Sequence, residues 1–557
     1  MHKRSLLWLF LFISAACLFQ AFAQGEDEDF ITGDDGEEED ATVYLLKEQR
    51  IKVEKSGLKT IREHNVLKIL KRSAIEYAGD IGFEYNSYYS KAKLVKAFTL
   101  TPEGRKIEVS KDAVHDTMPQ NFQEFKMYSD VRTLHFSMPA VEVGSVLDYE
   151  IEVVETKPVM EGQAWDSRYL DDSQMVEESR YTLEYPSKMK LLINSMNITN
   201  SPTTNRSSSV TTVSWVVKNT PKLKYETGMP PINGIRQSVH FTSLSSWNTV
   251  RDWFSKLAAE KLKPSDDIQK LVANMTSNAP TATDKIRALS LMMQKDVRYV
   301  GVELGRSAYE PHHAVDCLRN KYGDCKDKSI LLVSMLKQAG IIAYPALVRP
   351  SYFGDLVMDV PHPGQFNHVI VYIPDHGLWL DPTAKYYDID VYPAPLDGCQ
   401  ALVVGAGNTN FVRIPSLAPE RDITRVRYEI DMHHNGRSVV KEISEAVGRA
   451  GAEERITYEE LNNEKRQEQL EKAFERKDGR ERLISLGNTD PHDLSKPFES
   501  WVTYETDLFF ERANMGFGFS LSAQAIEDPL YLGQADGSDT EGKPKDRQYE
   551  WLARSGC

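Results

Sequence analysis

The sequence predicts a multidomain protein in which an α+β core lies between two antiparallel β-rich, sandwich-like domains. Three observations support this fold class. The chain has 557 residues, too many for a single hydrophobic core. Apolar and polar residues alternate through residues 42–235 and again after residue 401. In the region between, apolar residues recur at the spacing of helices. The composition, 41% hydrophobic and 27% charged, excludes collagen-like and wholly disordered chains.

Residues 1–23 have the pattern of an export signal. Two basic residues precede an apolar run over residues 6–19, and residues 21–23 are the Ala-Phe-Ala of a cleavage site. The run is too short for a membrane span. An alternative is a lipoprotein signal acylated at Cys17, but Ser14 occupies the position where such signals carry a large aliphatic residue. We therefore expect cleavage and export to the periplasm, the cell envelope or the medium.

Residues 24–41 are expected to form a disordered acidic linker. Ten acidic residues and no basic one lie between Glu26 and Asp40, so the segment repels itself and accounts for much of the net charge of -15. The charge therefore does not indicate a partner. No later stretch has the length of a membrane span, and no basic cluster suggests nucleic-acid binding.

The domain elements follow from hydrophobic periodicity. In residues 42–235, short alternating segments such as 146–155 are typical of half-buried strands. Residues 236–400 contain amphipathic helices followed by strands, which indicates an α+β domain. Residues 401–557 are predicted to form a β-rich module with a charged helical insertion; whether Cys557 is the natural end of the chain stays open.

The chemistry centres on Cys325 in "KYGDCKDKSILLVSMLKQAG". The cysteine lies in the first turn of a predicted helix, where free N-H groups and the helix dipole favour the thiolate. Gly323 is expected to let an acyl substrate approach the backbone, and the Cys325 N-H is a candidate oxyanion donor. His368, in "FNHVIVYI", and Asp381, in "LWLDPT", can meet at one edge if their strands form an antiparallel hairpin. The pattern is that of a Cys-His-Asp triad.

These three blocks resemble those of the transglutaminase-like superfamily, a papain-related fold, and "VRYVGVELGRSAYEPHHAVDCLRNKYGDCKDKS" is similar to its bacterial exported branch. The segment "VKAFTLTPEGRKIEV" resembles the β-rich domain of unknown function that commonly precedes this core. The resemblance implies Cys325 as nucleophile, His368 as base and Asp381 as orienting acceptor. It also implies a second oxyanion donor upstream of the cysteine, for which Tyr299 is favoured over Gln294.

Structural roles compete with these assignments. A lone cysteine is more often buried than catalytic, and a disulfide between Cys317 and Cys325 would block the thiol, whereas one between Cys317 and Cys399 would leave it free. A metal site is not favoured, because ligand spacings typical of zinc are absent. His362 and His376 lie in Pro/Gly-containing turns and are expected to face solvent.

The sequence therefore predicts an exported thiol acyl-transfer enzyme that hydrolyses peptide or amide bonds. Water is favoured over an amine as acceptor, and we expect no metal or cofactor. Candidate substrates are extracellular peptides, proteins or cell-wall peptide stems. The alternative is an inactive envelope protein whose β domains bind a partner or glycan around a scaffold core. The oligomeric state stays open.

Overall fold

The computed structural model describes residues 40–119, 127–224, 226, 229–405, 411–433, 437–461, 463–477, 481–506, 511–513 and 516–518. The predicted signal peptide, nearly all of the acidic linker, Cys17 and Cys557 lie outside these residues. Among the described residues, no helix is both long and apolar enough to cross a membrane.

The N-terminal domain is built on an eight-stranded sheet of order β13-β14-β11-β1-β2-β9-β4-β5. The alternation predicted for residues 146–155 is confirmed, since Leu147, Tyr149, Ile151 and Val153 are all buried. Neighbouring strands are antiparallel except β1 and β11, which are far apart in the sequence and pair in parallel. Two smaller sheets, β3-β8-β6 and β10-β15-β12, complete the domain. The elements are β1 (Thr42–Val53), β2 (Lys59–Ile69), α1 (Ile75–Ala78), β3 (Asp80–Asn86), β4 (Ser90–Leu100), β5 (Lys106–Glu108), β6 (Val114–Thr117), β7 (Met127–Ser129), β8 (Val131–Ser137), β9 (Val146–Glu155), β10 (Trp165–Tyr169), β11 (Met175–Pro186), β12 (Leu192–Met196), β13 (Thr203–Arg206), β14 (Val210–Thr220), α2 (Ile232–Ile235) and β15 (Ser238–Thr242).

The core consists of helices packed against a five-stranded antiparallel sheet of order β21-β20-β19-β22-β23. Its central helix, α7, is buried on every side from its first residue to Leu336, which explains why its hydrophobic pattern is not clearly one-sided. The elements are α3 (Trp247–Ala259), α4 (Asp266–Met275), α5 (Ala282–Asp296), β16 (Arg298–Tyr299), β17 (Gly301–Glu303), α6 (Ala314–Asn320), β18 (Tyr322–Gly323), α7 (Cys325–Gln338), β19 (Tyr344–Val348), β20 (His368–Ile373), β21 (Leu378–Leu380), β22 (Gln400–Val403) and β23 (Phe411–Arg413).

The C-terminal module contains a four-stranded antiparallel sheet of order β24-β25-β27-β26. The helical insertion lies between β25 and β26. Arg449 ties the module to the core, because its Nε donates to the carbonyl oxygen of Tyr392 at 2.8 Å. The elements are β24 (Thr424–Met432), β25 (Ser438–Ala446), α8 (Gly448–Glu460), α9 (Asn463–Lys477), β26 (Arg482–Asn488), β27 (Phe498–Thr506), β28 (Glu511–Ala513) and β29 (Gly516–Gly518).

Backbone and side-chain contacts join the N-terminal domain to the core. Strand β7 pairs in parallel with β17, whose Glu303 forms a salt bridge with Lys326 in the cysteine helix, so a segment of the N-terminal domain lies near the start of that helix. At another point of the junction, Thr242 Oγ1 donates to the carbonyl oxygen of Pro361 at 2.9 Å. The ring of Trp165 in β10 stacks on His362 with a centroid distance of 6.2 Å. His362 is 3% exposed, so the expectation that it faces solvent is wrong.

Burial of His362 makes the junction sensitive to acid. Burial and the neighbouring His240 lower the pKa of His362 to about 3; Lys59 and Arg349 act in the same direction and Asp166 opposes them. The unfolded chain therefore binds more protons than the folded protein below pH 6.5, and stability falls as the pH decreases through this range. We expect His362→Leu to reduce the loss of unfolding free energy between pH 7 and pH 5 by about 2 kcal/mol.

Urea denaturation at the two pH values measures this difference. His376→Leu is the matched control, because His376 is exposed. An identical pH dependence in wild type and His362→Leu would contradict the prediction.

Candidate active site

Cys325 is the first residue of α7, and a capping box fixes the start of that helix. The Asp324 side chain accepts from the Asp327 backbone N-H at 3.0 Å, and the Asp327 carboxylate accepts from the Asp324 N-H at 3.4 Å. The two acids therefore satisfy N-H groups that a helix start leaves unpaired. Cys325 is 6% exposed and opens on a cleft.

Gly323 is required by close packing. A Cβ at this position would lie 2.7 Å from Asp327 Cβ and 2.9 Å from Cys317 Sγ. Any side chain would therefore displace either the capping acid or the buried cysteine. The sequence interpretation, which assigned this glycine to substrate approach, missed that packing constraint because it depends on α6.

His368 and Asp381 are hydrogen-bonded, as the predicted hairpin requires. His368 begins β20, Asp381 follows β21, and these two strands pair antiparallel. His368 Nε2 lies 2.8 Å from Asp381 Oδ2. The other oxygen, Asp381 Oδ1, accepts from the Thr383 N-H at 2.9 Å and from its hydroxyl at 2.6 Å. Thr383 therefore orients the carboxylate that orients the imidazole, and the sequence analysis missed this residue.

The cysteine helix is attached directly to the histidine strand. Ser329 Oγ, in the first turns of α7, donates to the carbonyl oxygen of Val369 at 2.9 Å. Nδ1 of His368 is buried and forms no geometrically complete hydrogen bond among the described residues. Because Nε2 is occupied by Asp381, Nδ1 is the ring nitrogen left for interaction with the Cys325 thiol.

Electrostatics favour a charged His368. Burial opposes protonation, but Asp381 and then Cys325 outweigh it and hold the pKa of His368 well above its usual value. Burial likewise opposes ionisation of Asp381, but His368 and Thr383 lower the pKa of that carboxyl below its usual value. The charged imidazolium form of His368 is therefore favoured beside the Asp381 carboxylate.

Tyr299 lies beside the start of the helix. In β16 it pairs with Gly323, and its side chain lines the same cleft as Cys325 and His368. Gln294 is directed elsewhere, since its Nε2 donates to the carbonyl oxygen of Tyr387 at 2.7 Å. Of the two sequence candidates for a second oxyanion donor, only Tyr299 lines the cleft.

A buried charge cluster lies next to Cys325 and extends beyond the sequence motif. Lys326 is 4% exposed and forms salt bridges with Asp324 and with Glu303, which belongs to β17. Burial, opposed by Lys326, raises the pKa of Glu303 above its usual value. His312 Nδ1 lies 3.1 Å from Asp327 Oδ2. The sequence analysis missed Glu303, because it lies outside the motif and its approach depends on tertiary structure.

Among the described residues, the cysteines form no disulfide, and the buried charge cluster does not have the arrangement of a metal site. Cys317, Cys325 and Cys399 are all unbridged. Within the part of the chain that the structure describes, no group of three or more His, Cys, Asp or Glu side chains has the arrangement of a metal site.

Cys325 opens on a cleft of about 640 Å³ between the core and the N-terminal domain. The core contributes Tyr299, Asn367 and His368 to its lining, and the N-terminal domain contributes residues of β1, β2 and β9. This volume is in the range of pockets that enclose ligands rather than of flat protein interfaces.

Two family models match the chain. Residues 55–224 match a domain of unknown function, DUF3857, and residues 269–347 match the transglutaminase-like superfamily. The chain contains a transglutaminase-like core. The matched range of this core includes Tyr299 and Cys325 but ends before His368 and Asp381, so those two residues are linked to the cysteine by the geometry described above.

Two solved structures align with the chain, and one of them shares its fold. A crystal structure described as a candidate protease from Parabacteroides distasonis aligns with 84% of this chain and 93% of its own, at 11% identity and a TM-score of 0.57. One described as a candidate cysteine protease from Cytophaga hutchinsonii aligns with 58% of this chain and 75% of its own, at 11% identity and a TM-score of 0.17. The first similarity extends the fold assignment beyond the core. No curated protein matches the chain.

Proposed function

We propose that this protein is an exported thiol hydrolase that cleaves peptide or amide bonds with Cys325, His368 and Asp381. The observation that carries the proposal is the buried His368–Asp381 hydrogen bond next to the Cys325 thiol. Export rests on the residue 1–23 pattern alone. Extracellular peptides or cell-wall peptide stems are the proposed substrates.

The reaction runs in two steps. The Cys325 sulfur attacks the carbonyl carbon, the carbon–nitrogen bond breaks, and His368 gives its proton to the departing amine. A water molecule then gives a proton to His368 and attacks the thioester carbon, which releases the acid and restores the thiolate. The Cys325 N-H and the Tyr299 hydroxyl stabilise the oxyanion in both steps.

Hydrolysis is preferred to crosslinking because the second step needs only water. The rival function is a non-catalytic binding or scaffold protein. One observation favours the rival: Cys325 is only 6% exposed, as structural cysteines commonly are.

Iodoacetamide labelling of Cys325 across pH, under non-reducing conditions, distinguishes the two functions. We expect wild type to be labelled near its maximum rate at pH 7. In His368→Ala the thiol should behave like a free cysteine of pKa about 8.5, which lowers the rate at pH 7 about 30-fold. Cys325→Ser identifies the labelled position.

The other described cysteines should not interfere. Burial raises the pKa of Cys317 far above its usual value and that of Cys399 to about 12. Absence of labelling in wild type, or identical free-thiol profiles in wild type and His368→Ala, would replace the hydrolase proposal with the binding protein.

A further inference from the structure

The proposed hydrolysis leaves two carboxamide side chains in the cleft without a role. Gln49, in β1 of the N-terminal domain, is 7% exposed, and its Oε1 has no hydrogen-bond partner among the described residues. Asn367, immediately before His368, has its side-chain oxygen and nitrogen both buried and both unpartnered in that same part of the chain. Both residues line the cleft that contains Cys325.

Buried polar groups that lack a hydrogen-bond partner destabilise a folded protein. A buried donor or acceptor that lacks a partner costs about 1–3 kcal/mol, and an apolar side chain of similar shape would avoid that cost. Gln365, a buried carboxamide outside the cleft, is satisfied: it accepts from the Val357 N-H at 2.7 Å and donates to the carbonyl oxygens of Val357 and Val360. Gln49 and Asn367 are therefore the kind of polar side chain that a ligand must complete.

The chemistry of the cleft selects the ligand. Its cationic side chains are already matched by carboxylates: Lys59 by Asp166 and Glu155, and Arg168 by Glu63. An anionic ligand would have to displace these pairs. A carboxamide offers both an N-H donor and an oxygen acceptor, and a peptide unit offers the same two groups in a complementary arrangement.

We infer that Gln49 and Asn367, one from each domain, bind the backbone amide groups of an extended peptide and so present it to Cys325. The inference rests on the proposed function and specifies how its substrate is recognised. It gives the N-terminal domain a direct part in binding. Recognition through the backbone makes the enzyme tolerant of side-chain sequence, while Tyr299, Tyr309 and Phe366 supply aromatic surface in the same cleft.

The test uses acetyl-tetraalanine amide as a competitor of iodoacetamide labelling at Cys325. We expect the peptide to protect the thiol in wild type, and Gln49→Met and Asn367→Leu each to raise the half-protecting concentration about tenfold. The same peptide methylated on its backbone nitrogens should protect poorly, and the two substitutions should affect it little, because it lacks the N-H groups that the carboxamides recognise.

Thermal unfolding distinguishes a loss of peptide binding from a loss of folding stability. Because Gln49→Met and Asn367→Leu remove unsatisfied polar groups, their melting temperatures should equal or exceed that of wild type. Gln365→Met is the matched control: it should lower the melting temperature, because it breaks three hydrogen bonds, and leave protection unchanged.

The outcomes are distinguishable. Protection by the peptide that is unaffected by both cleft substitutions, equal protection by the methylated peptide, or no protection of a reactive thiol would overturn the inference. A Cys325 that iodoacetamide does not label in wild type would instead overturn the proposed hydrolase itself.

Discussion

Asp381→Asn is expected to lower the rate of amide-bond hydrolysis by about 10³–10⁴-fold, with little change in KM. The asparagine can present its amide nitrogen to His368 Nε2, which then must accept a hydrogen bond instead of donating one. The hydrogen of the neutral ring consequently moves to Nδ1, the nitrogen that must accept the proton of the thiol. The substitution also removes the negative charge that holds the pKa of His368 well above its usual value.

Hydrolysis of a fluorogenic peptide pool measures this effect, with enzyme concentrations normalised by folded protein. Thr383→Val is the matched control, because it deletes only the hydroxyl that donates to Asp381 at 2.6 Å and keeps the Thr383 N-H at 2.9 Å. We expect that variant to lose about tenfold or less. An Asp381→Asn enzyme with the wild-type rate would mean that the carboxylate has no part in catalysis.

Lys326→Met is expected to lower the free energy of unfolding by about 3–5 kcal/mol at pH 7. Lys326 is the cation between Asp324 and Glu303, and all three side chains are buried. Its removal leaves two carboxyl groups close together in a low-dielectric environment. They must then either repel each other or take up protons at a cost.

Urea denaturation of three variants isolates this effect. Lys328→Met is the matched control: Lys328 is equally buried in the same helix, but its Nζ donates to the neutral carbonyl oxygen of Val297 at 2.7 Å. Its loss should cost about 1 kcal/mol. Adding Glu303→Gln to Lys326→Met should recover part of the stability. Equal losses in Lys326→Met and Lys328→Met would show that the ion pairs contribute nothing.

The sequence alone was sufficient to predict that His368 and Asp381 lie close together. Asp381 lies 13 positions after His368, which fits a short hairpin, and a continuous apolar run marks each strand. The helix start at Cys325 was equally predictable, because its capping acids and apolar spacing are local signals. The Cys–His–Asp arrangement was therefore a prediction from local patterns joined by one assumption about strand pairing.

Features that depend on distant segments were not predictable. Glu303 reaches Lys326 only because β17 lies beside the helix start, and Gln49 shares a cleft with Cys325 only because an entire domain folds over the core. His362 was expected in solvent because Pro and Gly surround it, yet Trp165 of the N-terminal domain covers it. Local composition cannot predict that a residue is buried when another domain covers it.

The pairing of β7 with β17 fixes the N-terminal domain to the core close to Cys325. β7 belongs to the N-terminal domain, and β17 carries Glu303, which forms a salt bridge with Lys326, the residue after Cys325. Any movement that separates the two domains at this point would have to break main-chain hydrogen bonds. For the proposed hydrolase we therefore expect extended chains, rather than folded proteins, to reach Cys325.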